Sequence, residues 1–200
     1  MEKKRRSSRR DRGEEAGKKN RHRRWKIYVM IALCITAFVA INMIVIYQFS
    51  AESKEESGDR SKDLAVILVE TFYPDFELLD QSTQHDVIKS AHIMLRKVAH
   101  FTEYALLGFL LTSLLLFIGR YLKRMAKWIA WVIPPVFCLL YAISDEVHQI
   151  FSNRGPSPID VMIDFAGAIC GYLLIHVIVL AAHRVRVIRE ARKCKRPYTY

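Results

Sequence analysis

The chain has 200 residues, 52% of them hydrophobic, with 31 Lys+Arg against 20 Asp+Glu and a formal net charge of +11. One soluble domain would fit that length, but the apolar residues come in blocks too long and unbroken for the amphipathic helices of a water-soluble core, so the class is an integral membrane protein. The excess positive charge does not point to nucleic acid: it flanks the apolar blocks, carries no recognition motif, and reads as topogenic charge that also touches anionic inner-leaflet lipid.

Residues 1–26 form a basic arm, 13 Lys+Arg against 4 acidic residues, whose composition predicts disorder. Ile27 to Phe49 follows, 23 residues without a charge, which is long enough to span a bilayer. A cleaved signal peptide has a shorter apolar stretch and a shorter approach to it, so this block reads as a signal anchor. Residues 50–97 reverse the charge balance, with 10 acidic against 6 basic. Within them Ala51 to Lys62 reads as a flexible polar linker. Leu64 to Val69 and Val87 to Leu95, separated by Tyr73-Pro74 and a polar stretch, read as short interfacial helices.

Residues 98–182 supply three more spans. Val98 to Ile118 has 21 residues with His100 and Glu103 near its start, and Val161 to Ala182 has 22 with Asp164 and His176. Trp128 to Ile143 has only 16, and reaches a full crossing if the helix continues through Ser144 to Phe151. Pro134 and Pro135 should bend that span or break its hydrogen-bond ladder, opening room beside its polar end. Residues 183–200 are a second basic tail, 7 against 1. The predicted fold is therefore all-α, a polytopic bundle of four transmembrane helices with short interfacial helices in the first outer segment.

Charge also orients the bundle. The Gly119 to Lys127 connection carries 4 basic residues and no acidic one, whereas Ser144 to Asp160 has Arg154 against three acidic residues. The positive-inside rule then puts both termini in the cytoplasm of a multi-pass protein. Cys34, Cys138 and Cys170 fall within spans and Cys194 in the basic tail, so no structural disulfide and no cysteine metal site is expected.

Polar residues stand at one rim of these apolar blocks. Lys97, His100, Glu103 and Tyr104 occupy about one third of the circumference of the second span at its start. Asp145 and Gln149 repeat at i, i+4 where the third span ends, flanked by Glu146 and His148. Asp160 and Asp164 repeat likewise where the fourth begins. An ionisable group at a helix centre costs roughly 2.5–3.5 kcal/mol on insertion scales, so a cluster of them marks a site by default. The bland alternative is a salt-bridge network in which Lys97 and Arg154 neutralise five carboxylates to hold helices together. His176, alone in the other half of the last span, reads as a hydrogen-bonded core residue. Gly167 and Gly171 have the small-xxx-small spacing of a helix contact face.

The strings Arg96-Lys97-Val98-Ala99-His100-Phe101-Thr102-Glu103-Tyr104-Ala105-Leu106-Leu107-Gly108 and Ser144-Asp145-Glu146-Val147-His148-Gln149-Ile150-Phe151, followed by Arg154, Asp160, Asp164 and Gly167, resemble the VanZ-like family over roughly Leu64 to Leu180. The family is named for a member conferring low-level resistance to the glycopeptide teicoplanin, and it carries no settled biochemical activity. The resemblance implies a bacterial plasma membrane, of a Gram-positive cell, and a role at the outer face near cell-wall precursors. It also implies a polar signature here of Lys97, His100, Glu103, Tyr104, Asp145, Glu146, Gln149, Arg154, Asp160 and Asp164. Ser152-Asn153 stand where many relatives have Pro-Gly, which bears on the shape of that loop.

Three functions compete. A binding or surface-modifying protein would hold an anionic lipid or cell-wall precursor head group, with Lys97 and Arg154 on phosphate. An intramembrane enzyme acting on a lipid-linked substrate would use Glu103 or Glu146 as base and His100 or His148 as proton carrier. An assembly partner of cell-envelope enzymes would use the polar network only to fix helix register. No metal site is expected, since the spacing matches no specific metal motif, although histidines mixed with carboxylates are chemically able to hold a divalent cation. The cofactor, if there is one, is left open.

Overall fold

The computed structural model describes the backbone of residues 2–51, 54–122, 127–151 and 157–194, and all of these elements are helical. They are α1 (Glu2–Ala51), α2 (Lys54–Phe72), a single 3-10 turn (Phe76–Leu78), α3 (Gln81–Leu122), α4 (Lys127–Phe151) and α5 (Pro158–Cys194). Four stretches are long and apolar enough to cross a membrane: Gly17–Ser50, Gln81–Tyr121, Trp128–Gln149 and Pro158–Arg192. Large apolar side chains face outward along them, among them Leu33, Phe38, Leu140 and Met162, each more than 60% exposed. Such a surface is untenable in water and ordinary in lipid. The molecule is a multi-pass helical membrane bundle.

Two helices run further than the sequence suggests. α1 runs unbroken from Glu2. Lys, Arg and Glu are good helix formers, and Glu15 and Lys19 stand at the favourable i, i+4 spacing, so a helix anchored in the bilayer propagates back through the arm. The segment between the first two spans is also more regular than predicted. Most of the expected linker belongs to α2, and Val87–Leu95 is no separate interfacial helix but part of the 42-residue α3. Gln81 to Lys97 contains neither Pro nor Gly, so nothing there stops the helix. At about 1.5 Å per residue α3 is about 60 Å long, roughly twice the hydrocarbon thickness, and its first turns project beyond the membrane.

Local chemistry sets the break between α2 and α3. The last helical bond of α2 runs from Tyr73 N to Val69 O at 2.8 Å, and Pro74, lacking an N–H, stops it. Buried Phe76 anchors the 3-10 turn, and Asp80 opens α3. Its carboxylate accepts from Ser82 Oγ, from Thr83 Oγ1 at 2.6 Å and from Thr83 N at 3.2 Å. These hydrogen bonds, that of Ser82 first, hold the Asp80 pKa down at about 2. Gln84 ties the turn to the helix by donating to Phe76 O and Leu79 O. Ala65 and Val69, one turn apart, bury the face that α2 lays on α3.

Val39 and Ile46 of α1, Tyr104 and Leu107 of α3, Cys138 and Ala142 of α4, and Ala168 of α5 meet in one core, so all four spans share it. The broadest helix contact is between α3 and α5. A Cβ on Gly167 would land on the carbonyl oxygen of Phe101, one on Gly171 on that of Ala105, and one on Gly108 on that of Ala168. Gly167 and Gly171 are therefore a true contact face, and Gly108 answers them from the opposite helix. The pairs 101/167 and 105/171 advance in the same direction, so α3 and α5 lie parallel with backbones touching. Pro134 and Pro135 do not interrupt α4; both lie inside the helix, with Pro134 fully buried.

Candidate functional site

The parallel pair brings the start of α3 beside the start of α5, and antiparallel α4 delivers its end to the same level. Lys97 Nζ pairs with Asp160 Oδ1 at 2.8 Å, with the two side chains 35% and 26% exposed. One to two turns deeper stand Tyr104, fully buried, and Asp164, 4% exposed. Asp145, 5% exposed, comes from α4. One ligating atom each of His100, Asp145 and Asp164 lies within 4.8 Å of the others, although the three residues belong to three helices. Glu103 is within electrostatic reach of Asp145 and Asp164, and Tyr104 of the same two.

The remaining rim residues divide. Gln149 donates from Nε2 to Ser50 Oγ at 2.9 Å and, more weakly, to Asp145 Oδ2 at 3.4 Å, tying the site to the end of α1. Glu146 is buried, but it accepts the backbone N–H of Ser157 and so fastens the end of α4 to the start of α5. His148 turns away and stacks on Tyr47 of α1 with ring centroids 4.7 Å apart. Of the four acid–base candidates, His100 and Glu103 reach the cluster, Glu146 holds a helix start, and His148 serves a helix contact. Arg154 lies outside the described residues. His176 bonds Tyr172 O through Nδ1 at 2.9 Å and packs on Trp131, far along α5 from the site.

The site has two adjoining spaces. A polar cavity of about 20 Å³ is lined by Arg96, Lys97, His100, Gln149, Asp160 and Asp164 together with Ile163. That is room for about one water or one ion by the usual 10–15 Å³ criterion. Beside it runs an open groove of about 460 Å³ lined by Ser90, Ile93, Met94, Val98 and Phe101, with Lys97 and Ile163 forming the wall common to both.

Sequence reasoning missed three contributors. Arg96 is a second cation on the cavity, and its only signal was its place before Lys97. Ser50 belongs to a face of α1, with Val39, Asn42 and Ile46, that is buried in the bundle. A polar residue recurring on that spacing within an apolar span was the available clue. Tyr141, one turn before Asp145, donates to Met43 O at 2.8 Å and fixes α4 on α1.

The family model VanZ/LLP1 matches residues 26–180, from the first span through most of the last. The chain belongs to the VanZ/LLP1 family. The match takes in the apolar second half of α1, which the sequence resemblance left out, in keeping with the contribution of Ser50 to the VanZ-type core. No curated protein and no solved structure matches the chain.

Proposed function

We propose that this VanZ-family protein holds an anionic, lipid-linked head group, of a cell-envelope lipid or wall precursor, at the outer leaflet of a bacterial plasma membrane, and thereby lowers the access of glycopeptides such as teicoplanin. The single observation that carries this reading is the wall shared by the polar cavity and the apolar groove. A ligand with a charged head and a hydrocarbon chain matches that pair of surfaces. The chain would lie along Ile93, Met94, Val98 and Phe101, and the head would sit at Lys97 and Arg96. The inner cavity is too small for a head group, so binding is at its rim. The Lys97 ammonium has three donors and spends one on Asp160, leaving two for phosphate oxygens. The outward orientation rests on the positive-inside charge pattern.

Lys97→Met and Arg96→Gln, in protein that inserts at wild-type levels, test the reading. Each removes one charge-assisted contact, and about tenfold less anionic lipid should copurify, as read by mass spectrometry. Cells carrying either variant should also become more susceptible to teicoplanin. Unchanged lipid recovery together with unchanged susceptibility would sink the proposal.

Acid–base chemistry on the same ligand is a second reading, favoured by the position of His100 and Glu103 at the inner side of the rim. Incubating the purified protein with lipid-linked phosphates tests it. Absence of any Glu103-dependent product would remove it.

A further inference from the structure

The deepest part of the polar cluster has the wrong charge to stand alone. Among the described residues, the carboxylates of Asp145, Asp160, Glu146 and Glu103 all lie within electrostatic reach of Asp164. The described ion pair in the cluster joins Lys97 to Asp160, and among the described residues no ion pair reaches Asp145 or Asp164, which are buried side by side while Arg96 and Lys97 stand elsewhere on the cavity lining. Buried charge of one sign calls for a proton or a cation. The polar atoms around them point the same way. The Tyr104 hydroxyl, on a fully buried side chain, and Glu103 Oε2 find no hydrogen-bond partner among the described residues, and both groups are electrostatically coupled to Asp145. The water ligands of a bound ion would satisfy such groups. His100 and Asp164 also line the cavity of about 20 Å³, which has room for an ion.

We propose that His100, Asp145 and Asp164 bind one divalent transition-metal ion, Zn²⁺ by preference, on the floor of the polar cavity. The imidazole nitrogen disfavours Ca²⁺ and Mg²⁺, which take oxygen ligands, and one imidazole with two carboxylates suits Zn²⁺ held by three side chains with a further position open. Because the ligands come from α3, α4 and α5, the ion would lock the parallel pair to the antiparallel α4. The site stands on side-chain geometry and does not depend on the head-group reading. Lys97 and Arg96, which carry that reading, are not ligands.

The test uses full-length protein in detergent with any affinity tag removed, stripped by chelator and dialysed against Zn²⁺. Elemental analysis should find about one Zn²⁺ per chain, with His100→Ala, Asp145→Asn and Asp164→Asn each weakening binding by about tenfold or more, and His176→Ala, far along α5, binding as wild type. Co²⁺ should give the visible absorption of a low-coordinate site, lost in His100→Ala. Where an aspartate variant fails to assemble, the wild-type protein carries the test. Its thermal midpoint should rise with Zn²⁺ and fall back with chelator, and His100→Ala should abolish the response. Zn²⁺ retained equally by the ligand variants, or no stoichiometric Zn²⁺ at all, overturns the site. An infrared band of a protonated carboxyl that persists in excess Zn²⁺ and disappears in Asp164→Asn would also overturn it, by showing that the two aspartates share a proton.

Discussion

Asp80 shows how much a single side chain does where α3 begins, beyond the membrane. Its lowered pKa means that the carboxylate form is favoured in the folded state. The sign follows: its stabilisation of the first turn of α3 is complete above the unfolded value near pH 4 and is lost as the pH falls toward about 2. Hydrogen exchange at Thr83 should therefore accelerate across that window in the wild-type protein. In Asp80→Ala it should be fast throughout, with no acid step. Deeper in, residue identity says less than direction. Asp145, Glu146, His148 and Gln149 are near neighbours in sequence, yet Asp145 enters the cluster, Gln149 bridges it to Ser50, Glu146 grips Ser157 and His148 stacks on Tyr47. The i, i+4 repeat of Asp145 and Gln149 was legible because one helical face carries both. The separate duties of Glu146 and His148 were not, because each depends on what α1 and α5 present across the gap.

Elements are joined here by backbone approach more than by side-chain bulk. Gly108, Gly167 and Gly171 let α3 and α5 touch, and that contact sets which turn of one lies beside which turn of the other. Gly171→Ala should destabilise the protein by about 1–3 kcal/mol through overpacking, and Gly167→Ala and Gly108→Ala comparably. Gly17→Ala, where nothing lies within 4 Å of the added carbon, should be neutral or stabilise α1 by up to about 1 kcal/mol. Thermal unfolding in detergent would show the opposite signs. Equal effects at Gly17 and Gly171 would contradict the close contact. The spacing of Gly167 and Gly171 was visible in the sequence; the answering Gly108 was not, because a single glycine in a helix carries no partner information. The length of α3 was legible in principle, in the absence of Pro and Gly between Asp80 and Gly108. Its polar first half, with the hydropathy of an interfacial segment, hid that continuity.

At the scale of the molecule, the charge pattern and the four spans predict a fixed orientation. In a cysteine-free background, Asp75→Cys in the connection between α2 and α3 should react with a membrane-impermeant maleimide on intact cells. Lys19→Cys in the arm and Arg186→Cys in the tail should react only after the cells are opened. Labelling of Lys19→Cys from outside would reverse the topology and move the polar rim to the cytoplasmic face, away from any extracellular glycopeptide. An aromatic cluster supports the other end of the bundle. Tyr28 stacks on Phe117 at 4.1 Å and Trp25 packs on Tyr121 at 5.2 Å, in the manner of side chains that settle at a membrane interface.

The amino-acid sequence by itself determined the class, the number of spans, the direction of the charge bias and the stock of polar residues at one rim, because hydropathy and charge are read along the chain and each span meets the bilayer by itself. Only the tertiary structure decided that His100, Asp145 and Asp164 converge, that Lys97 answers Asp160, and that α1 closes the site through Ser50. Those outcomes depend on how far each helix is rotated and slid against its neighbours. Where glycines bring two backbones into contact, that register is settled by the fit of both helices at once, which neither helix carries alone.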